Sequence, residues 1–290
     1  MSTVQEYAWA KLNLTLDVTG RMADGYHSVA TVMQTVTLRD DVQVALTETG
    51  EVTARSNISF LPADERNIAV KAARLFLRTI GRPDLGAEIT MEKRIPIGAG
   101  MGGGSTDGAA VLRALNRLTG AGMSAEQLET LARELGSDVP FCVRGGTALG
   151  TGRGDVLTPL PPLPDCHLVI AKPAFSISTP TLYAQIDGVR RRCHPDTDGV
   201  TSALAAGDLR GVALRLFNVF EGVLPRKFSQ VLALRSQLLD LGALGAVMTG
   251  TGSAVFGLFD GETSADAARG QLAREYDTCV LCRPQPALPV

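Results

Sequence analysis

The stretch that most constrains this chain runs from Pro96 to Asp107 and reads PIGAGMGGGSTD. Five of its twelve residues are glycine, and a strongly helical segment follows directly. That pattern reads as a glycine loop feeding a helix N-terminus. Backbone N–H groups free of side chains, at the positive end of a helix dipole, form an anion site. The anion expected here is a phosphate. A Walker loop is excluded, because Gly104 is followed by Ser105 with no intervening lysine. Gly98, Gly100 and Gly103 match the dinucleotide fingerprint literally, but that motif follows a buried strand and precedes an acidic residue about 20 positions on. Here MEKRIP precedes the loop and GAGM stands where the acid belongs.

Length and composition set the remaining bounds. A chain of 290 residues suits two domains of ordinary size. TPLPPLP, from Thr158 to Pro164, marks the boundary between residues 1–158 and 159–290. A net charge of −2 argues against a nucleic-acid surface. The one basic triplet, Arg190 to Arg192, fits a solvated loop. The five cysteines are scattered and odd in number, which fits a reducing compartment. Cys279 and Cys282 form a C-x-x-C inside an apolar run and lack the other ligands that a zinc site needs, so they read as strand packing. No apolar run approaches membrane-spanning length and the N-terminus lacks a signal pattern, so the expectation is a cytoplasmic protein with no membrane partner.

From Ala10 to Val18, leucine and valine alternate with Lys11, Asn13, Thr15 and Asp17, the signature of a strand with one buried face. Lys11 and Asn13 therefore project together from the other face, where solvent exposure is the plain expectation. An Asp24-Gly25 turn then presents Tyr26 and His27 side by side, as core residues or as a binding pair. Val29 to Leu46 reads as strand broken at Arg39-Asp40-Asp41. A helix is expected from Asp64 to Gly81 with an aspartate start, and another after the glycine loop closing at Gly120. Ser124 and Gln127 form a capping-box pattern for a third. Beyond it, Asp138 is pinned between Gly136 and Pro140. The second half reads as a strand at Leu168 to Ala171, then a helix capped by Thr179 with Pro180 in its first position. Helical runs near Ser202–Phe217 and Pro225–Leu241 follow, then a second glycine turn, TGTG at Thr249–Gly252. A strand, a helix and a last strand complete an α+β sandwich.

A phosphate loop, a fixed carboxylate and a lysine–asparagine pair are the small set of parts that phosphoryl transfer requires. No Ser-His-Asp arrangement is defensible among three histidines, since His167 and His194 lie outside any motif. A small-molecule kinase is the leading expectation.

AKLNLTLDVTGRMADGYH, PIGAGMGGGSTDGAAVLRALN, LGSDVPFCVRGGTALGTG and MTGTGSAVFGLF, in that order, resemble the GHMP kinases. More narrowly they are similar to the branch acting on 4-diphosphocytidyl-2-C-methyl-D-erythritol in the non-mevalonate isoprenoid route. The resemblance implies an N-terminal α/β domain, like part of a ribosomal small-subunit protein, packed on a ferredoxin-like C-terminal domain. It implies ATP as co-substrate, Mg2+, and a cytidine diphosphate derivative as acceptor. It implies Asp138 as general base on the 2-hydroxyl, with Lys11 beside it to stabilise developing charge. Asn13 would orient the acceptor, Tyr26 stack on cytosine and His27 bond its edge. Tyr183 stands where the family usually has phenylalanine on the other face of the base, and Gly250 and Gly252 would close the acceptor side. Pro96, Ile97, Gly98, Ala99, Gly100, Met101, Gly102, Gly103, Gly104, Ser105 and Thr106 would wrap the ATP phosphates, with Lys93 near the nucleotide and Asn67 near adenine. Where the branch commonly reads S-S-N, this chain has Ser105-Thr106-Asp107. Asp107 is either a helix N-cap, the preferred reading, or an added carboxylate close to the phosphates and magnesium. A monomer or weak homodimer is expected.

The alternatives are another GHMP kinase, acting on homoserine or a mevalonate derivative, and a nucleotide-binding regulator without catalysis. Tyr26 and His27 speak against the first, because those acceptors carry no base. Retention of both Lys11 and Asp138 speaks against the second. A dinucleotide-dependent oxidoreductase rests only on the weak glycine match.

Overall fold

The computed structural model describes residues 2–189 and 193–289; the basic triplet Arg190–Arg192 lies outside them. Two sheets organise the chain. The first is built on a long antiparallel hairpin of β1 (Thr3–Arg21) and β2 (His27–Thr47). Then come β3 (Val52–Ser56), α1 (Ile68–Thr79), β4 (Gly86–Glu92), α2 (Gly103–Thr119), α3 (Ala125–Ala132), α4 (Val139–Arg144), β5 (Thr147–Thr151) and β6 (Val156–Pro159). The strand order is β3-β4-β2-β1, with β5 pairing β2 and β6 pairing β5.

The second sheet opens with β7 (His167–Lys172). It continues through α5 (Thr179–Asp187), α6 (Thr197–Ala205), α7 (Leu209–Ala213), the short β8 (Phe217–Asn218), α8 (Gln230–Asp240), β9 (Gly245–Met248), β10 (Val255–Phe259), α9 (Glu262–Leu272) and β11 (Thr278–Cys282). Its order is β11-β7-β10-β9 with every pair antiparallel, the ferredoxin-like arrangement. β8 returns to the first sheet and pairs parallel with β1, opposing Phe217 to Thr15.

Strand alternation explains the layering. In β7, Leu168 and Ile170 face the β1–β2 hairpin, packing with Leu12, Leu14 and Val36, while Val169 and Ala171 face the other way, in the cluster that holds α5, α8 and α9 residues. A separate core lies between the first sheet and α1, α2 and α4, around Phe76, Leu112 and Phe141. Ile95, Ala99 and Met101, from the glycine loop and the residue before it, pack into this apolar seam between the sheets.

Several local expectations are corrected. The helix expected from Asp64 begins at Ile68: Asn67 is the cap, its side chain accepting the Ala69 N–H at 3.0 Å, whereas Asp64 pairs with Arg66. β2 is continuous through Arg39–Asp41, and the chain takes up the irregularity as a register shift opposite Ala10. The run near Ser202–Phe217 splits at Gly207 into α6 and α7, because Asp208 starts a new helix by accepting the Gly211 N–H. Ser178, not Thr179, occupies the cap of α5, which puts Pro180 one position further in. β9 was not expected. Its four fully buried residues carry no alternation to betray a strand. Cys279 and Cys282 lie on β11 as strand residues.

Candidate active site

The glycine loop and the start of α2 form one structure. Gly98, Gly100 and Gly102 have φ of 64°, 77° and 73°, a region that side-chain-bearing residues rarely adopt. A Cβ on Gly100 would stand 2.1 Å from the carbonyl oxygen of Thr249, so the two glycine turns meet backbone to backbone. Gly102 caps α2 and supplies no side-chain acceptor to the first turn. The opening N–H groups of the helix are thereby left for an external anion. Pro96 to Ser105, Asn67 and Lys93 line a cavity of about 370 Å³. Thr106 is turned away from it, buried with its Oγ1 donating to Gly103 O at 2.8 Å. Asn67 spends its amide on the α1 cap and on Pro62 O, so its side chain shapes that wall through the chain it holds.

Lys11 and Asn13 are not exposed: each retains 3% of its surface. Their face of β1 is covered by the glycine loop and by the TGTG turn. The Lys11 N–H donates to Met101 O at 3.1 Å, and the lysine stem runs past Gly102, where a Cβ would meet its Cγ at 3.2 Å. Lys11 Nζ donates to Asn13 Oδ1 at 2.8 Å and stands 3.3 Å from Asp138 Oδ2. Asn13 Nδ2 donates to Thr31 Oγ1 at 2.8 Å, and that hydroxyl donates to Thr15 O at 2.7 Å. The amide flip and the lysine direction are thus fixed by a chain of bonds ending in backbone. Asp138 caps α4 by position, but its carboxylate makes no capping bond. It is therefore available to the cavity, with 40% of the side chain exposed.

On the other side of the glycine loop a cavity of about 750 Å³ holds Lys11, Asn13, Asp138, Tyr26, His27, Tyr183, Gly250 and Gly252 in its wall. Gly98, Gly100, Gly102 and Ser105 line both cavities, so the loop is their shared partition. His27 sits at the start of β2, with Nε2 2.7 Å from Asp187 Oδ1 and its ring 4.7 Å from that of Tyr183. Tyr183 packs edge-on against Phe220, and burial pushes its phenol up to about 12. Tyr26 keeps 56% of its surface in solvent. Thr179 and Thr251 close one rim through a 2.8 Å hydroxyl pair.

The preferred reading of Asp107 is overturned. It lies inside α2, 3% exposed, and its Oδ2 takes a 2.5 Å bond from Lys93 Nζ. The cap position is already filled by Gly102, five residues earlier. Lys93 Nζ is shared with Asp40 Oδ2, also at 2.5 Å, and Asp40 Oδ1 accepts the N–H groups of Arg94 and Ile95. Two buried carboxylates thus compete for one ammonium. Asp40 accepts two hydrogen bonds beyond that from Lys93, whereas Asp107 Oδ1 has no partner. Burial lifts the Asp107 carboxyl to about 7, against the pull of Lys93, and Asp40 adds to the rise. Both Lys93 and Asp107 line the smaller cavity. Asp40 was missed in the sequence, although it stands in phase with the buried Val42 and Val44, a charge at an inward position of a strand. Thr249, whose Oγ1 accepts the Asn13 N–H at 3.1 Å, was missed as well.

Residues 67–146 match the GHMP kinases N terminal domain and residues 200–278 the GHMP kinases C terminal domain. The 4-diphosphocytidyl-2-C-methyl-D-erythritol kinase of Lachnoclostridium phytofermentans is 42% identical over 268 residues, 92% of each chain. A solved structure of 4-(cytidine 5'-diphospho)-2C-methyl-D-erythritol kinase superposes with a TM-score of 0.82 at 35% identity, covering 97% of this chain and 99% of that one. The homoserine kinase of Cytophaga hutchinsonii shares the fold, with a TM-score of 0.76 at 20% identity over 99% of this chain and 96% of its own. A glycine partition between two cavities, a lysine and a carboxylate meeting at its edge, and these likenesses along nearly the full chain lead to one conclusion: the protein belongs to the GHMP kinases, in the group of the 4-diphosphocytidyl-2-C-methyl-D-erythritol kinases.

Proposed function

We propose that the chain transfers the γ-phosphoryl group of ATP to the 2-hydroxyl of 4-diphosphocytidyl-2-C-methyl-D-erythritol, giving the 2-phosphate and ADP. The observation that carries this reading is the position of Asp138. Its uncapped carboxylate lies 3.3 Å from buried Lys11 and lines the same cavity as Tyr26, His27 and Tyr183. In the step, the acceptor oxygen forms a bond to the γ-phosphorus while the bond to the β–γ bridging oxygen breaks. Asp138 takes the hydroxyl proton, and ADP carries away the electron pair of the broken bond. Lys11, held by Asn13, stabilises charge on the transferring oxygens. The first-turn amides of α2 and the loop Gly98–Ser105 hold the phosphates on the partition between the cavities.

Among the described residues no cluster of three or more acidic, histidine or cysteine side chains is arranged for a metal. Asp107, whose Oδ1 is buried without a partner, and Ser105 both line the smaller cavity and would hold a magnesium ion brought in with the nucleotide. When bound, it supplies neutralisation of the phosphate charge. Tyr26 and Tyr183 supply the aromatic faces that a cytosine needs, and His27 a hydrogen bond to its edge. The cysteines, all with free thiols, support a cytoplasmic setting.

The test is a coupled ADP-release assay with Mg-ATP and a panel of acceptors. Turnover is expected with the cytidine diphosphate compound. Turnover with homoserine or mevalonate in its place would sink the assignment.

A further inference from the structure

We propose that Arg153 is a positioning residue that fixes the Tyr26 ring as a ready-made platform for the base, and thereby sets affinity for the cytidine end of the acceptor. This deepens the acceptor reading above and rests on it.

The loop between β1 and β2 carries Tyr26 on an exposed tip that includes Gly25, at φ 88°. A half-exposed phenol on such a loop would be free to change rotamer. Three contacts closing on one another prevent this. The Asp24 carboxylate accepts the Tyr26 N–H through Oδ1 at 3.0 Å and pairs with Arg153 Nη2 through Oδ2. The Arg153 guanidinium in turn covers one face of the Tyr26 ring, 4.0 Å from its centroid. The arginine sits on the β5–β6 turn, which is itself fixed to β2: Gly152 O accepts the Val29 N–H at 2.8 Å, two residues beyond His27. The clamp therefore ties the loop tip to the sheet. Asp24, Tyr26, His27 and Arg153 all line the acceptor cavity.

An exposed ion pair by itself contributes little. Here the planar guanidinium adds a cation–π contact, and the closed set of bonds removes freedom that binding would otherwise have to remove. The Arg153 hydrogen bond also holds the Asp24 carboxyl below its ordinary range, so the pair keeps its charge through neutrality.

Steady-state kinetics with the cytidine diphosphate acceptor and ATP varied separately test the proposal. Arg153→Ala is expected to raise the acceptor KM about 5- to 30-fold, from the upper end of an exposed cation–π contact to a partly desolvated one, leaving kcat and the ATP KM within about twofold. Arg153→Lys, which keeps the charge but loses the planar fork, should fall between. In a Tyr26→Leu background, Arg153→Ala should add no further loss. Additive losses would mean that Arg153 acts on the acceptor directly, and equal rises in both KM values would mean a general defect; either overturns the proposal. A wild-type enzyme that turns over the acceptor beside an unchanged Arg153→Ala enzyme overturns this inference alone. Failure of the wild type to turn over the acceptor overturns it together with the functional reading.

Discussion

Asp107 and Asp138 are two carboxylates in one molecule with opposite surroundings, and their behaviour should differ accordingly. Asp107 is enclosed, competes with Asp40 for Lys93, and titrates near 7 instead of its ordinary 3.8. Since the folded value lies above the unfolded one, its contribution to stability is complete below about pH 4 and is lost as pH rises through 7. Asp107→Asn has no proton to lose. The variant's Tm should therefore improve against wild type by a few degrees between pH 5 and pH 8, read by calorimetry at several pH values. Parallel curves would refute the shared-ammonium account. Asp138, half open and making no capping bond, is the proposed base of the reaction. Asp138→Asn should lower kcat by roughly 10² to 10⁴, the usual share of general-base catalysis, with the ATP KM little changed. Near-full activity in that variant would require another route for the proton.

At the scale of elements, two glycine turns touch. Gly100 combines φ of 77° with only 2.1 Å between its would-be Cβ and Thr249 O. Gly100→Ala should therefore strain the loop and part the two turns, since neither backbone can give way cheaply. We expect the ATP KM to rise about tenfold or more, a loss of 1–3 kcal/mol of the kind such strain carries; unchanged nucleotide affinity would show that the turns are not coupled. The loop, α2 and the capping box of α3 were legible in the sequence because their signals are local: glycine spacing, a helical apolar stripe, and Ser124 with Gln127. The burial of Lys11 was not legible. Alternation in β1 divides the strand into two faces but does not say that the polar face will be covered, and what covers it comes from Met101 and Thr249, the latter 236 residues beyond Asn13. Asp107 failed for a related reason. Aspartate near a helix start suggests a cap, and only the partner Lys93, on the far side of the loop, reveals a buried ion cluster.

For the whole molecule, the two sheets share an apolar seam, and a second tie comes from the chain after β11. Arg283 O accepts the Thr37 N–H at 2.9 Å, the Gln285 N–H donates to Thr35 O at 2.8 Å, and the Leu288 N–H donates to Arg144 O at 2.7 Å. The segment thus leaves the second sheet, runs along β2, and reaches the end of α4, the helix that Asp138 opens. Leu288 and Ala287 pack where Gly145 and Gly146 leave no Cβ in the way. Removing the chain after Arg283 would delete two of these backbone bonds, at about 0.5–1.5 kcal/mol each, together with the apolar contacts of Leu288. The truncated protein should melt roughly 5–10 °C lower, at about 2–4 °C per kcal/mol for a chain of this class. It should still melt in one transition, because the seam of Leu12, Leu14, Ile170 and Phe256 remains continuous across both sheets. Two separate calorimetric transitions would mean that the strap, and not the seam, couples the halves; an unchanged Tm would mean that the strap only lies on the surface it crosses.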